Sequence, residues 1–309
     1  MTSSDPFADG PAAASARTPA GTSSGRWSRL DRPPLNAAGL RRALVTEGGL
    51  WSSLEVVAAT GSTNTDLAAR AARAGGLAEG AVLVAEEQTA GRGRLDRSWV
   101  APARSGLFFS VLLRPGDAVP QERWGWLTLL AGVATATGLS RAAGVDTALK
   151  WPNDLLVTVD GEERKAGGIL AERVAGDGPG GAGVVIGIGL NVTLTEDELP
   201  VESAGSLALA KATVTDRDPL LRAVLRSLEQ GYGNWRAAGG DPAASGLQEA
   251  YAAGCASLGR HVRAELPGGR VLTGTAEAVD ADGRLVIRTA AGEREAVGAG
   301  DVIHLRSVH

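Results

Sequence analysis

The chain is poor in several residue types on which catalysis or covalent stabilisation often depends. Its 309 residues contain one cysteine, Cys255, so no intramolecular disulfide can form, which suits a reducing compartment. The histidines are His261, His304 and His309, and this late clustering makes a Cys–His nucleophilic pair a poor prospect. No spacing of cysteine, histidine or carboxylate residues is typical of structural zinc. Cys255 is therefore predicted to be a packed small residue.

Long apolar runs and a strong net charge are also missing. No apolar run reaches the roughly 18 residues of a transmembrane helix, and no charged segment followed by an apolar core marks a secretory signal. The formal net charge of −4 creates no strong field that would attract nucleic acid or an anionic membrane. These absences predict a cytoplasmic protein with no DNA partner and no membrane partner.

The composition that is present, 44% hydrophobic and 21% charged, is typical of a globular protein with one large and one small domain. Residues 1–32 are rich in Ser, Ala, Pro, Gly and Thr, and we expect a disordered tail because they offer little apolar surface to bury. Residues 33–256 are predicted to form the main domain. Short alternating segments separated by turn residues predict a small β-structure for residues 257–309.

The main domain alternates short apolar segments with amphipathic ones. Strands are predicted at residues 54–58, 81–85, 106–113, 167–173 and 183–191, and helices at residues 65–74, 122–139 and 244–253. Residues 176–180, GDGPG, are a turn signal that predicts an antiparallel hairpin between the last two strands. Asp218 is predicted to cap a further helix whose first residue is Pro219.

The most informative segment is residues 91–99, which read GRGRLDRSW. Glycine lets a backbone approach a ligand closely, and arginine offers a planar fork of donors that matches carboxylates and phosphates. Tryptophan adds a flat face for a ring or an apolar ligand. The segment therefore predicts a site for an anion that carries a ring. An RNA-binding loop has the same composition, but the acidic balance and the shortage of other basic patches weigh against it.

Four further motifs accompany this segment, and together the five resemble the biotin protein ligase family. They are GSTN at residues 61–64, KWPND at 150–154, RKAGGIL at 164–170 and GIGLN at 187–191. The resemblance covers residues 54–191 by motif and extends from about residue 43 by architecture. It implies an α+β fold. A mixed, largely antiparallel sheet flanked by helices would form the class II synthetase-like core of biotin and lipoate ligases, and residues 257–309 a small SH3-like β-barrel.

The resemblance implies an ATP-dependent enzyme with two half-reactions. Biotin would be activated as biotinyl-5′-adenylate, with Mg²⁺ accompanying ATP at no dedicated metal site. Biotin would then pass to a lysine of the biotin carboxyl carrier domain of an acyl-CoA carboxylase. The short segment ahead of residue 54 leaves no room for a winged helix, so the type without an N-terminal DNA-binding domain is expected. Monomer and homodimer both suit such a core.

The resemblance also implies roles for individual residues. The catalytic residues would be Lys165, Arg94 and Arg92. Biotin would be bound by Ser62, Thr63, Asn64, Gln88, Gly91, Arg92, Lys165, Gly168, Gly187 and Gly189. ATP would be bound by Arg94, Arg97, Trp99, Asn153 and Asn191. Asp154 would contact the acceptor lysine or a metal ion, or would only cap a turn.

Two other functions remain open at this point. A lipoate or octanoate ligase would also bind a carboxylate with an apolar tail and modify a lysine, although the GRGR and KWPND motifs favour biotin. A biotin-responsive regulator without ligase activity would need the ligand site but not Lys165. No Walker-type GxxxxGK[ST] loop occurs, so ATP is not expected to bind through a P-loop.

Overall fold

The structure is a computed structural model that describes residues 32–73, 75–95, 97–175, 181–298 and 301–304. Its α-helices are α1 (Ala37–Leu44), α2 (Thr63–Ala71), α3 (Trp126–Ala143), α4 (Arg217–Ala237) and α5 (Leu247–Gly254). Its strands are β1 (Ser53–Val57), β2 (Ala81–Ala85), β3 (Gly91–Arg92), β4 (Ser98–Trp99), β5 (Gly106–Leu113), β6 (Thr147–Lys150), β7 (Asp154–Val159), β8 (Glu162–Val174), β9 (Gly183–Asn191), β10 (His261–Glu265), β11 (Val271–Val279), β12 (Leu285–Arg288), β13 (Arg294–Val297) and β14 (Asp301–His304).

Seven strands form the main sheet, in the order β1-β2-β5-β9-β8-β7-β6. The β1–β2 pair is parallel, and the other neighbours are antiparallel. Strands β2 and β5 are buried along their whole length, as expected for apolar strands covered on both faces. The predicted mixed, largely antiparallel sheet is confirmed.

Alternation along the central strands sends neighbouring side chains into two separate apolar layers. Val82, Val111 and Ile186 face the large core that contains α3 and α4. Leu83 and Leu112 face the opposite side, where α2 packs through Leu67 and Ala71. Because the side-chain period of a strand is two, each central strand supplies both layers. The amino end of α2 is thereby held against the sheet face on which the site lies.

The C-terminal segment forms a five-stranded antiparallel sheet with the order β13-β12-β11-β10-β14. Its buried residues, such as Val262 and Ile287, belong to the same apolar core as α3. The indole nitrogens of Trp126 and Trp151 donate to the carbonyls of Ala281 and Gly283, at 2.9 and 3.0 Å. The described residues from Pro34 onward pack as one compact unit. The domain boundary between residues 256 and 257 stays a prediction.

The element predictions were accurate for buried strands and less so for helix starts. Strands 81–85, 106–113 and 183–191 have the predicted bounds. Helix α4 is capped by Asp216, which accepts from the Asp218 backbone, so the predicted cap at Asp218 was wrong by two residues. Residues 1–31 of the predicted tail (residues 1–32) and the turn at 176–180 lie outside the described residues. No helix in the described part of the chain combines the length and hydropathy needed to cross a membrane.

Candidate functional site

Most of the predicted site residues converge on one cavity above the centre of the main sheet. It has a volume of about 120 Å³ and adjoins a wider cleft of about 370 Å³ toward the C-terminal sheet. Of the predicted site residues it is lined by Ser62, Thr63, Asn64, Gln88, Arg92, Arg94, Arg97, Trp99, Asn153, Asp154, Lys165, Gly168, Gly187 and Gly189. These residues lie up to 127 positions apart in sequence, from Ser62 to Gly189, and sheet pairing brings them together.

A buried polar network forms one end of the cavity. Ser62 caps α2 by accepting from the backbone of Thr65, and it leaves Thr63 and Asn64 in the first turn. The Thr63 backbone and hydroxyl donate to Gln88 Oε1, at 2.8 and 3.1 Å. This end therefore presents fixed hydrogen-bonding groups to whatever occupies the cavity.

Ser110 joins this network from below, and the sequence analysis did not predict it. Its hydroxyl oxygen lies 2.7 Å from both Thr63 Oγ1 and Asn64 Oδ1 and is fully buried. The available signal was one polar residue in the apolar strand GLFFSVLL. A buried hydroxyl needs a partner, so such a residue indicates a polar network.

Three glycines let other groups approach the sheet closely. A Cβ at Gly187 would lie 2.2 Å from Asn64 Oδ1, and one at Gly189 would lie 2.9 Å from Trp99 Cε2. A Cβ at Gly168 would lie 3.3 Å from the same indole. The Trp99 ring therefore lies directly against the sheet backbone at Gly168 and Gly189, where no side chain intervenes. Its Nε1 is buried with no hydrogen-bond partner among the described residues, so a ligand acceptor would satisfy it.

The GRGR segment forms a short hairpin. Strands β3 and β4 pair Gly91 with Trp99, and a Cβ at Gly91 would lie 2.4 Å from the Trp99 carbonyl oxygen. Gly91 therefore serves the hairpin and is not among the described lining residues. Beyond it, Leu95 adopts a φ of 54° and leaves 64% of its surface exposed.

An irregularity in the sheet directs Lys165 toward the cationic end of the cavity. Lys165 and Gly168 are three residues apart, so regular alternation would place them on opposite faces of β8. The pairing of β7 with β8 shifts register by one residue at this point, which returns Lys165 to the face of Gly168. The Lys165 ammonium lies 2.6 Å from Asp154 and 5.9 Å from the centre of the Trp99 ring.

The predicted arginines differ in what they contact. Arg94 donates to Asn153 Oδ1 at 3.3 Å, and Asn153 is fixed by its own bonds to the Ile169 backbone. Arg92 instead forms an ion pair with Glu172, with 2.8 Å between Nη1 and Oε1. Glu172 is a second residue that the sequence analysis missed, and no motif signalled it.

Asn191 lies apart from the other predicted residues. It is buried, it donates to the Gly205 carbonyl at 2.9 Å, and it is not among the described lining residues. The structure therefore gives Asn191 a role in holding the segment after β9, and its predicted contact with ATP has no support from this geometry.

A chain of hydrogen bonds connects the KWPND turn to the C-terminal sheet. Arg260 donates to His304 Nδ1 at 3.2 Å, and His304 Nε2 lies 2.9 Å from Ser257 Oγ. Ser257 in turn accepts from the Trp151 backbone at 3.1 Å. Burial, together with the charges of Lys150 and Arg260, lowers the pKa of His304 to about 4. The imidazole is therefore neutral at physiological pH, which lets Nδ1 accept from Arg260.

The chain matches two protein-family models and is similar to several known proteins. The Biotin/lipoate A/B protein ligase family matches residues 56–191, and the Biotin protein ligase C terminal domain matches residues 257–305. A biotin–[acetyl-CoA-carboxylase] ligase of Mycobacterium tuberculosis is 43% identical over 89% of this chain and 97% of its own length. The bifunctional ligase/repressor BirA of Bacillus spizizenii is 35% identical over 88% of this chain and 80% of its own.

Solved structures give the same result for the fold. A biotin protein ligase from Aquifex aeolicus, in complex with biotin and ATP, superposes with a TM-score of 0.65 at 26% identity and covers 83% of this chain and 100% of that one. The Leishmania major enzyme with biotinyl-5-AMP gives 0.54 at 26% identity, over 80% and 99%. With its motifs gathered at one cavity and 43% identity to a biotin–[acetyl-CoA-carboxylase] ligase matched over 97% of its length, the chain belongs to the biotin protein ligase family.

Proposed function

We propose that this ligase joins biotin to ATP as biotinyl-5′-adenylate and then transfers biotin to a lysine of the biotin carboxyl carrier domain of an acyl-CoA carboxylase. The observation that carries the proposal is a single cavity with hydrogen-bonding groups at one end and the side chains of Lys165, Arg94 and Arg97 at the other. Such a cavity suits a ligand with a polar ring, an apolar tail and an anionic head.

Biotin would lie with its ureido ring at Ser62, Thr63, Asn64 and Gln88. Its apolar chain would run over Gly187 and Gly189, where no side chain intervenes, and beneath the Trp99 indole. The buried Trp99 Nε1 has no partner among the described residues, and an oxygen of the ligand would supply one. The carboxylate would then reach Lys165, which anchors the reacting end.

In the first half-reaction a biotin carboxylate oxygen attacks the α-phosphorus of ATP, the bond to the β-phosphate breaks, and pyrophosphate leaves. Two anions must approach each other, so cations at this end stabilise the transition state. Lys165 and Arg94 would supply that charge, with Arg97 and Asn153 completing the nucleotide side. We also propose that Mg²⁺ enters together with ATP and has no dedicated site on the protein. Asp154, a carboxylate among the described lining residues, is already paired with Lys165 and is therefore not a ready metal ligand.

In the second half-reaction the neutral amine of the acceptor lysine attacks the acyl carbon, the acyl–phosphate bond breaks and AMP leaves. The attacking nitrogen loses a proton to solvent as the amide forms, and Asp154 would orient the incoming lysine. The β3–β4 hairpin would cover the intermediate and exclude water, because an acyl-adenylate hydrolyses. We propose that the protein acts in the cytoplasm without a DNA partner.

The experiment that tests this function is biotin-dependent exchange of labelled pyrophosphate into ATP by the purified protein with Mg²⁺. Exchange with biotin, followed by labelling of a carrier domain, is the expected outcome. Exchange with lipoate but not biotin would contradict the choice of substrate. Biotin binding without exchange would replace the ligase with a ligand-responsive regulator.

A further inference from the structure

Glu172 connects the hairpin over the cavity to the floor beneath it. The residue lies on β8, four positions after Gly168 and two after Leu170, so regular alternation places all three on one face. One carboxylate oxygen lies 2.8 Å from Arg92 Nη1, and the other lies 2.8 Å from Asn64 Nδ2. A single carboxylate therefore joins strand β3 to the first turn of α2.

The Glu172 carboxylate does not itself reach the ligand space. Glu172 is not among the described lining residues, whereas Arg92 and Asn64 both are. Its side chain is 26% exposed and that of Arg92 is 45% exposed, so the acid is the more shielded partner. Asn64 is 3% exposed, and its amide also donates to the Leu170 carbonyl at 3.1 Å. The attachment point on the floor is thus rigid.

This arrangement changes the role of Arg92. Its guanidinium is paired with Glu172, which is not among the described lining residues, whereas Lys165 is paired with Asp154, which lines the cavity. Charge-assisted hydrogen bonds fix geometry well, particularly when one partner is shielded from water. Arg92 is therefore placed to hold the hairpin, and the catalytic charge falls to Lys165 and Arg94.

We propose that Glu172 is a positioning residue for retention: it fastens the β3–β4 hairpin, through Arg92, to Asn64 and so keeps biotin and biotinyl-5′-adenylate in the cavity. This inference rests on the proposed function, because it assumes that biotin occupies the Asn64 end. It assigns Glu172 no contact with a reacting atom. Loss of the fastening should speed ligand escape and leave the chemical step largely intact.

Three variants separate the two contacts of Glu172. Glu172→Gln keeps an acceptor for Asn64 and removes the charge that pairs with Arg92, so release of preformed biotinyl-5′-adenylate should quicken about threefold. Glu172→Ala removes both contacts and should quicken it about tenfold, since a buried amide then loses a partner. Arg92→Ala should resemble Glu172→Gln. Glu55→Gln, which breaks the remote Arg70–Glu55 pair, is the matched control.

The measurements are biotin Kd by calorimetry without ATP, the release rate of the intermediate, and kcat of pyrophosphate exchange at saturating substrates. The expected result is weaker biotin binding, faster release and kcat within about twofold of the unmodified enzyme. The double variant Glu172→Gln/Arg92→Ala should be no worse than its worse single variant.

Two outcomes would overturn the inference while leaving the ligase function intact. One is a large fall in kcat for Arg92→Ala with normal release in both Glu172 variants, which would make Arg92 a catalytic cation. The other is simple additivity in the double variant. An unmodified protein that neither binds biotin nor exchanges pyrophosphate would overturn the proposed function together with this inference.

Discussion

The Lys165 ammonium lies 2.6 Å from an Asp154 carboxylate oxygen, inside the cavity and across the register shift between β7 and β8. The pair is partly shielded, with the two side chains 36% and 19% exposed. Asp154 therefore fixes where the ammonium stands before any anion arrives. Such preorganisation lets a cation stabilise developing charge without first reorganising the site.

Lys165→Ala should lower the kcat of biotin-dependent pyrophosphate exchange by about a hundredfold or more, as loss of one preorganised charge does elsewhere. Unfolding free energy should change little. A pyrophosphate-exchange assay measures kcat, and urea unfolding measures the free energy of unfolding. Lys211→Ala, which removes the exposed ammonium 3.8 Å from Asp160, is the control and should leave exchange unchanged. A normal kcat in Lys165→Ala at saturating biotin would refute the role.

Arg94→Ala should weaken retention of the intermediate on the nucleotide side, because Arg94 bridges the hairpin to Asn153. We expect release of biotinyl-5′-adenylate about tenfold faster, with labelling of bystander lysines, if the contact is worth about 1.4 kcal/mol. Mass spectrometry of a bystander protein detects that labelling. Arg42→Ala on the exposed side of α1 is the control. If the variant releases biotinyl-5′-adenylate and labels bystander lysines at the rates of the unmodified protein, Arg94 does not help to retain the intermediate.

Gly187→Ala should damage biotin binding, because its Cβ would meet Asn64 Oδ1 at 2.2 Å and displace the network that includes Ser110. We expect KM for biotin to rise about tenfold and stability to fall by about 1–3 kcal/mol, as in other overpacked sites. Gly233→Ala on α4 is the opposite case. A Cβ there meets nothing within 4 Å, and removing a helical glycine should stabilise by about 0.5–1 kcal/mol. Equal effects of the two substitutions would contradict the close-approach argument.

Stability should fall on mild acidification because of His304. Its folded-state pKa is about 4, lowered by burial and by Lys150 and Arg260, while the unfolded imidazole takes up its proton near the usual value of about 6.5. The unfolded state therefore binds more protons between these values. Stability is full above about pH 6.5 and declines as the pH falls toward 4. Urea unfolding at several pH values measures the slope.

His304→Gln should flatten that slope between pH 6.5 and 4, since it removes the titrating group. As the pH falls below about 4.5, the Glu163–Arg260 ion pair adds a loss of the same sign, because the Arg260 hydrogen bond lowers the pKa of Glu163. An identical pH dependence in the variant and the unmodified protein would show that His304 does not govern this transition.

The parts of the fold predicted from sequence are those in which local pattern and tertiary environment agree. Strands 81–85 and 106–113 are continuous apolar runs, and they remain strands because both faces are covered. The cap of α4 was misplaced because Asp216 and Asp218 both offer suitable carboxylates, and only the chain path selects between them.

The motifs identified most of the residues that line the cavity, but they did not identify partners that come from unmarked strand positions. Thr63 and Lys165 lie in motifs and line the cavity. Glu172 has no motif, because its importance follows from facing Arg92 and Asn64 after the strands pair. Asn191 has a motif, yet pairing turns its side chain toward Gly205. The spacing of residues along the chain does not specify in which direction the side chain of Glu172 or Asn191 points.

The two hydrogen bonds that Trp151 makes to the C-terminal segment, to Ser257 and to Gly283, affect how this protein could be divided. Trp151 is 2% exposed and stands at the head of the turn that carries Asn153 and Asp154. A shortened form of the protein that ends before residue 257 would expose the Trp151 indole to solvent. The turn would also lose the two hydrogen-bond acceptors that Ser257 and Gly283 provide. We therefore expect full ligase activity to require the C-terminal strands as well as the residues that the Biotin/lipoate A/B protein ligase family matches.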